Sequence, residues 1–282
     1  MTKKINLIYI LSQGRSGSTA LDLICGKFEN VVSLGEIHNL YWDLLDNEKC
    51  SCGDTYEKCN FWSEFILDKD SLKKISKYRE KSGSGKRIRF KKLFKIRKIK
   101  YDYLVKKEFN YAKENFELLS QIINKRNLDG NITFIDSSKD PYRLYDLVHS
   151  GLFNVNIIYV KKRAESWIYS IHKYKERVGV IKILRSVIDY LIDHNVFTII
   201  LNKLDQRMIL KINYNEIKNE DELIILLSNF LPNKFKNIHT KHHLVAGNNI
   251  KYNFSKFLKD DSYINSNLNK YYNLIQFFTN KS

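Results

Sequence analysis

Short apolar runs alternate along the chain with stretches in which apolar residues recur every three or four positions. Runs with the length and the Ile, Val and Tyr content of buried strands occur at 5–11, 31–34, 132–136, 155–160 and 208–212. Helical spacing is found at 18–28, 61–79, 101–126, 141–150, 164–176, 180–204, 220–231 and 260–278. These strand–loop–helix units predict an α/β fold with a three-layer, doubly wound parallel sheet.

With 282 residues and only two prolines, the chain suits a single domain, 1–282, with one insertion. Its net charge of +17 is concentrated between residues 69 and 107, where seventeen Lys or Arg stand against three acids. We expect a basic helical insertion at 69–127, with SGSGK at 82–86 as a flexible break. Such a segment suits an acidic polymer, nucleic acid or an anionic membrane surface, or it reflects a lysine-rich composition alone.

The sequence predicts neither a secretory signal nor a membrane span. The first apolar run is short, and Gln13 and Gly14 follow it instead of a small-residue cleavage site. Asp189 and Asp193 interrupt the best span candidate, 187–201, which lacks the roughly 18 consecutive apolar residues required. We therefore expect a cytoplasmic protein without a transmembrane segment.

Three of the four cysteines, Cys50, Cys52 and Cys59, form a Cys-x-Cys-x6-Cys cluster. A zinc site normally has four ligands, so Cys25 or His38 would have to complete one. A stable disulfide is disfavoured in a cytosolic protein. The cluster thus has three interpretations, namely a tight loop with buried thiols, a metal site or a disulfide, and no metal ligands are assigned.

The segment SQGRSGSTAL at 12–21 has the composition of an anion-binding loop between a strand and a helix. Gly14 and Gly17 permit a tight turn, so that successive N–H groups point at one anion near the helix N-terminus. Arg15 adds charge, and Ser16, Ser18 and Thr19 add hydroxyl donors. The loop is not a Walker sequence, because a serine stands where that motif has its lysine.

Three further groups of polar residues follow predicted strands. The fourth strand ends in Lys161, Lys162 and Arg163, and Ser170 lies eight residues after Lys162 on the next helix. A cation at the strand end and a hydroxyl on the helix can hold one phosphate from two sides. The IDSSKDPYR sequence at 135–143 follows the third strand, and LGEIH at 34–38 carries Glu36 past the second.

Together these segments resemble the sulfotransferases that use 3′-phosphoadenosine 5′-phosphosulfate (PAPS), in particular their bacterial-type branch. The resemblance lies in five patches in the family's order: RSGST at 15–19, GEIH at 35–38, CSCGDTYEKCNFW at 50–62, IIYVKK at 157–162 with Ser170, and HLVAGNNIK at 243–251. It implies a P-loop NTPase-like fold, PAPS as the donor and no metal requirement.

The resemblance also assigns roles to residues. Arg15, Ser16, Gly17, Ser18 and Thr19 would hold the 5′-phosphosulfate, and Arg15 would neutralise charge on the leaving oxygen. Lys162 and Ser170 would hold the 3′-phosphate, with Lys251 as a helper; Arg163, which replaces the family's acid or asparagine, is a further cation that could swing in. Glu36 would be the general base, and His38 is the competing base. Lys162 and Lys251 stand where the family has arginine, so the bidentate fork of arginine is lost at both positions.

The sequence leaves the acceptor hydroxyl open. The basic segment would suit an acidic or already sulfated glycan, and a lipid headgroup or a small metabolite is equally allowed. Two other functions remain: a P-loop kinase-like phosphotransferase with Asp136 as its metal-binding acid, and a non-catalytic protein that binds nucleic acid through 69–107. The second would leave the ordered patches unexplained, so we expect no nucleic-acid partner; the oligomeric state is not predicted.

Overall fold

The computed structural model describes residues 3–65, 72–73, 111–128, 131–172, 178–236, 243–246 and 271–279. Its centre is a five-stranded parallel sheet in the order β2-β3-β1-β4-β5. The strands are β1 Ile5–Ser12, β2 Val31–Ser33, β3 Thr133–Asp136, β4 Phe153–Lys161 and β5 Ile209–Asn213. The predicted α/β fold with a parallel sheet is therefore confirmed.

Eight α-helices have both ends in the described part of the chain, and Leu72 and Lys73 are helical as well. The eight helices are α1 Ser18–Cys25, α2 Leu40–Leu45, α3 Tyr111–Lys125, α4 Pro141–His149, α5 Ala164–His172, α6 Val180–Leu201, α7 Glu220–Phe230 and α8 Tyr272–Thr279. None of the helices found in this part is long and apolar enough to cross a membrane. Apart from Leu72 and Lys73, the basic segment 69–107 lies outside the described residues.

Two helix predictions need correction. Helix α1 ends at Cys25 instead of residue 28, because Phe28 leaves the helix to bridge Phe235 and pack edge-on against its ring at 5.2 Å. Residues 61–65 form turns where a helix was expected. There Trp62 is fully buried and donates a hydrogen bond to the distant carbonyl of His243, a tertiary contact that local spacing does not encode.

Side chains of β1 alternate between two hydrophobic cores, one on each face of the sheet. Leu7, Tyr9 and Leu11 pack with residues of α3, α4 and α6, whereas Ile8 and Ile10 pack with residues of α1 and α7. A central parallel strand that is buried on both faces is stabilised by about 1.5–3 kcal/mol for each large apolar side chain. The arrangement is the three-layer sandwich expected of a doubly wound sheet.

All five strands end at one edge of the sheet, which we call the carboxyl edge. In an open parallel sheet ligands bind at this edge, where the loops after the strands meet. The loops that follow β1, β2, β3, β4 and β5 supply the residues described next.

Candidate active site

Residues 13–17, here called the anion loop, connect β1 to α1. Gly17 caps the helix with a φ of 85°, and Arg15 also has a left-handed backbone, with a φ of 69°. A Cβ atom on Gly17 would lie 2.1 Å from Cε2 of Tyr214. Glycine is therefore required at position 17 both by the backbone conformation and by the close approach of the tyrosine ring.

Three hydroxyl groups around the anion loop are fully buried. Oγ of Ser12, Ser16 and Ser166 has no hydrogen-bond partner among the described residues, and each of these serines is 1% exposed. Leaving a buried hydroxyl unsatisfied costs about 1–3 kcal/mol. Such groups at the end of β1, in the anion loop and in the first turn of α5 are suited to bind a ligand with several oxygen atoms.

Lys162 lies directly after β4 and is only 6% exposed. Its Nζ is 5.3 Å from the centre of the Tyr214 ring, and its carbonyl accepts a hydrogen bond of 2.9 Å from the Tyr190 hydroxyl. Tyr214 thus lies close to both the backbone of Gly17 and the ammonium group of Lys162. Arg163 is exposed, and its backbone N–H donates to Asn215.

Helix α5 packs against the anion loop. The indole N–H of Trp167 donates a 2.7 Å hydrogen bond to the carbonyl of Gly14, and Oγ of Ser170 lies 3.5 Å from the carbonyl oxygen of Arg15. The structure therefore brings Ser170 next to the anion loop. Ser170 lies in α5, the helix that begins two residues after Lys162. Lys251 lies outside the described residues.

Glu36 follows β2 in residues 34–38, here called the carboxylate loop. Its carboxylate forms an ion pair with Lys139 and accepts a 3.1 Å hydrogen bond from Nδ2 of Asn39. The Glu36 side chain is 19% exposed and that of Lys139 14%, so the pair is largely withdrawn from water. The backbone N–H of His38 donates to Oγ of Ser138 at 3.4 Å, and its side chain is half-buried.

Asp22 of α1 connects the helix after the anion loop to the carboxylate loop. Its carboxylate accepts hydrogen bonds from the hydroxyls of Ser33, at the end of β2, and Ser137, just after β3. Burial raises the pKa of Asp22 to about 7, against the opposing effect of these two hydrogen bonds and of Lys139. The network fixes α1 against the ends of two neighbouring strands.

Asp136, the candidate metal-binding acid of the kinase alternative, is engaged elsewhere. Its Oδ2 accepts a 2.9 Å hydrogen bond from Nε of Arg143, and both residues are at most 3% exposed. Its Oδ1 accepts from the backbone N–H of Ser138. Both carboxylate oxygens are therefore used inside the protein, in a buried ion pair that supports β3 and α4.

Residues 50–59, here called the cysteine loop, and residues 243–246, here called the late segment, lie against the carboxylate loop. Val245 accepts a backbone hydrogen bond from Glu36 and donates one to Leu34. The side chain that joins the three cysteines is His243, 3.2 Å from Sγ of Cys59 through its Nδ1. The expectation that Cys25 or His38 would complete the cluster is corrected, since Cys25 lies in α1 and the described four-residue group contains neither.

Sequence reasoning did not identify Tyr214, His243, Asp22 or the pairing of Lys139 with Glu36 as parts of this region. A signal existed for two of them. Lys139 was noted in the polar loop after the third strand, and His243 belongs to the HLVAGNNIK patch. Tyr214 directly follows β5, so its position at the carboxyl edge could have been inferred from the fold.

Comparison with known proteins relates the fold to sulfotransferases. No protein-family model and no curated protein matches the sequence. A sulfotransferase domain from the curacin biosynthetic pathway matches the structure with a TM-score of 0.50 and 18% identity, over 83% of this chain and 76% of that one.

Two further solved structures are similar. The sulfotransferase domain of the Synechococcus PCC 7002 olefin synthase has a TM-score of 0.48 and 15% identity, over 94% of this chain and 84% of that one. Sulfotransferase STF1 from Mycobacterium tuberculosis H37Rv has a TM-score of 0.45 and 10% identity, over 80% and 67%. At these identities the likeness concerns the fold, and the curacin match supports it: this chain has an α/β fold of the kind found in a sulfotransferase domain.

Proposed function

We propose that this chain is a sulfotransferase that transfers a sulfuryl group from PAPS to an acceptor hydroxyl. The observation that carries the proposal is that Tyr214 lies close both to Gly17 of the anion loop and to the buried Lys162. Lys162 is only 6% exposed, so a phosphate group held next to it would place a negative charge beside a largely buried cation. A nucleotide with phosphate groups at both of its ends would supply negative charge to both places.

Residues 15–19 would hold the 5′-phosphosulfate with their N–H groups, the guanidinium of Arg15 and the hydroxyl of Ser16. Lys162 and Ser170 would hold the 3′-phosphate, with Arg163 and Lys251 as further cations. The fit is supported by the buried Ser16 hydroxyl, which has no hydrogen-bond partner among the described residues, and by the packing of α5 on the anion loop. When bound, PAPS supplies an activated sulfuryl group.

Glu36 is the proposed general base. As the acceptor oxygen forms its bond to sulfur, the bond between sulfur and the phosphate oxygen breaks and the hydroxyl proton passes to the carboxylate. General-base catalysis typically contributes about 10²–10⁴-fold to the rate. Arg15 would stabilise the charge that develops on the leaving phosphate oxygen, as preorganised cations do in phosphoryl transfer. His38 is the competing base.

The two alternatives have less support. A P-loop kinase needs a loop lysine, which the sequence lacks, and a metal-binding acid, whereas both oxygens of Asp136 are bound by Arg143 and Ser138. Nucleic-acid binding would depend on the basic segment 69–107. We propose instead that this segment binds an acidic glycan as the acceptor. A lipid headgroup and a small metabolite are the other acceptor classes.

Calorimetric titration with 3′-phosphoadenosine 5′-phosphate (PAP), in parallel with ATP, tests the donor. We expect tight binding of PAP, weak binding of ATP and loss of PAP binding in Arg15→Ala. Arg207→Ala is the matched control, because Arg207 precedes β5 at the opposite edge of the sheet and its side chain is 91% exposed. Failure of the wild-type protein to bind PAP would overturn the proposal, as would equal effects of the two substitutions.

A further inference from the structure

The cysteine loop and the late segment bring four metal-binding side chains together. The ligand atoms of Cys50, Cys52, Cys59 and His243 all lie within 4.8 Å of one another. Nδ1 of His243 is 3.2 Å from Sγ of Cys59 and 3.8 Å from Sγ of Cys50, and Sγ of Cys52 is 3.6 Å from Sγ of Cys59. The histidine is 193 residues from Cys50 in the sequence, so only the fold joins them.

The three ligand–ligand distances of 3.2, 3.8 and 3.6 Å are close to the edges of a tetrahedral zinc site. Zinc–sulfur and zinc–nitrogen bonds of about 2.3 Å and 2.0–2.1 Å give ligand–ligand distances of roughly 3.5–3.8 Å in a tetrahedron. Three thiolates and one imidazole are a ligand set of structural zinc sites, and soft sulfur ligands favour zinc over magnesium or calcium. We propose that Cys50, Cys52, Cys59 and His243 bind one structural Zn²⁺ ion.

The surroundings of the cluster hold the ligands in place without the metal. Gly53, with a φ of 96°, turns the chain so that its N–H donates to the carbonyl of Cys50. The ring of Phe61 stacks on the imidazole of His243 at 5.2 Å and an interplanar angle of 13°. Trp62 donates a 2.7 Å hydrogen bond to the carbonyl of His243. Such preorganisation of ligands is typical of a built metal site.

The site would be structural, because protein side chains occupy all four tetrahedral positions. Its ligands join two segments that also share hydrogen bonds from Leu244 to Ser51 and from Ala246 to Tyr56. Val245, two residues after the histidine ligand, pairs with the backbone of Glu36. Zinc would therefore support the carboxylate loop from outside, whether or not the chain transfers sulfuryl groups.

A disulfide between Cys52 and Cys59 is the competing use of the same residues. A disulfide would involve only two of the four side chains. It would not explain why the imidazole of His243 approaches the sulfur atoms of both Cys50 and Cys59. A metal ion accounts for all four side chains at once. The two possibilities differ in the mass of the protein and in its metal content.

The test is the metal content of the full chain, purified without chelators or added metal and measured by plasma mass spectrometry. We expect stoichiometric zinc in the wild-type protein and at least a tenfold loss in Cys59→Ser and in His243→Ala. His243→Cys keeps four ligands and should retain zinc. Cys25→Ala is the matched control: it removes a buried cysteine of α1 and should leave the zinc content unchanged.

A second measurement does not depend on the folding of any variant. Cobalt substituted into the wild-type protein should give the intense visible absorption of tetrahedral coordination and sulfur-to-cobalt charge transfer. The proposal is overturned by a folded wild-type protein without stoichiometric metal, or by cobalt spectra without sulfur ligation. It is also overturned by zinc that survives both ligand substitutions, or by an unreduced protein two hydrogens lighter than its sequence.

Discussion

The anion loop and the carboxylate loop lie at the same edge of the sheet but are held in place in different ways. The anion loop is built from consecutive residues between β1 and α1, and its shape follows from the left-handed backbone at Arg15 and Gly17. The carboxylate loop contains a left-handed Gly35 and the start of a 3-10 helix at Ile37, but its position also depends on distant segments. It is held by Lys139 after β3, by Asp22 of α1 through Ser33, and by Val245 of the late segment.

The difference indicates which substitutions should disturb each of the two loops. A loop whose shape is local is disturbed mainly by substitutions within it or in direct contact with it. A loop held by distant segments can be disturbed from any of them, including the cysteine loop. In the proposed function the first half binds the donor and the second half acts on the acceptor, so the two halves should give separable defects.

The largest expected effect is on the rate. Glu36→Gln should lower kcat by about 10²–10⁴-fold, because the amide cannot accept the hydroxyl proton, and should leave PAP affinity unchanged. The measurement is PAP release from PAPS with a panel of sugar and lipid alcohols. Glu220→Gln is the control. Glu220 forms an ion pair with Lys27 that is buried to a similar extent, and Lys27 follows the C-terminal end of α1, away from the carboxyl edge. A rate loss confined to His38→Ala would instead make the histidine the base.

The next effect concerns Asp22, which joins the two halves. Its pKa is about 7 in the folded chain, against 3.8 for an ordinary carboxyl, so the folded state binds more protons between these values. The free energy of unfolding should therefore fall by a few kcal/mol as pH rises from about 4 to about 7. Asp22→Asn should flatten this slope in denaturant unfolding curves.

A matched substitution separates Asp22 from carboxylates in general. The exposed Asp205 has its pKa lowered to about 2, chiefly by the hydrogen bond from Arg207. Its contribution to stability is lost only as pH falls below the window used for Asp22. Asp205→Asn should therefore leave the slope between pH 4 and 7 unchanged, and an Asp22→Asn protein with the wild-type slope would contradict the assignment.

The smallest effect tests the locality of the anion loop. Gly17→Ala should weaken PAP binding by roughly 10–100-fold, because the new methyl group would overlap the Tyr214 ring and overpacking costs about 1–3 kcal/mol. Adding Tyr214→Ala should recover part of the loss, so titration calorimetry should find the two substitutions non-additive. Gly151→Ala, with a φ of 72° and open space around its Cβ, is the control and should not alter binding.

The sequence predicted the parts of the fold that depend on nearby residues. The five strands and most helices follow from short apolar runs and helical spacing, and the anion loop is contiguous in the sequence. The contact of His243 with the cysteines and the ion pair of Lys139 with Glu36 span 184 and 103 residues. The sequence marks Lys139 by its polar loop and His243 by its patch, but it does not indicate which distant residue each one contacts, because that depends on the packing of distant segments.

The pairing of Val245 with Glu36 also has a consequence for the chain during its synthesis on the ribosome. A chain is synthesised from its N-terminus, so the residues of β1, the anion loop and α1 are among the first to leave the ribosome. Glu36 leaves the ribosome at that stage too, but its backbone partner appears only when the last fifth of the chain is translated. Under the proposed function, chains truncated before Val245 would contain the anion loop but lack the backbone pairing of the candidate base Glu36, so catalysis would require the late segment.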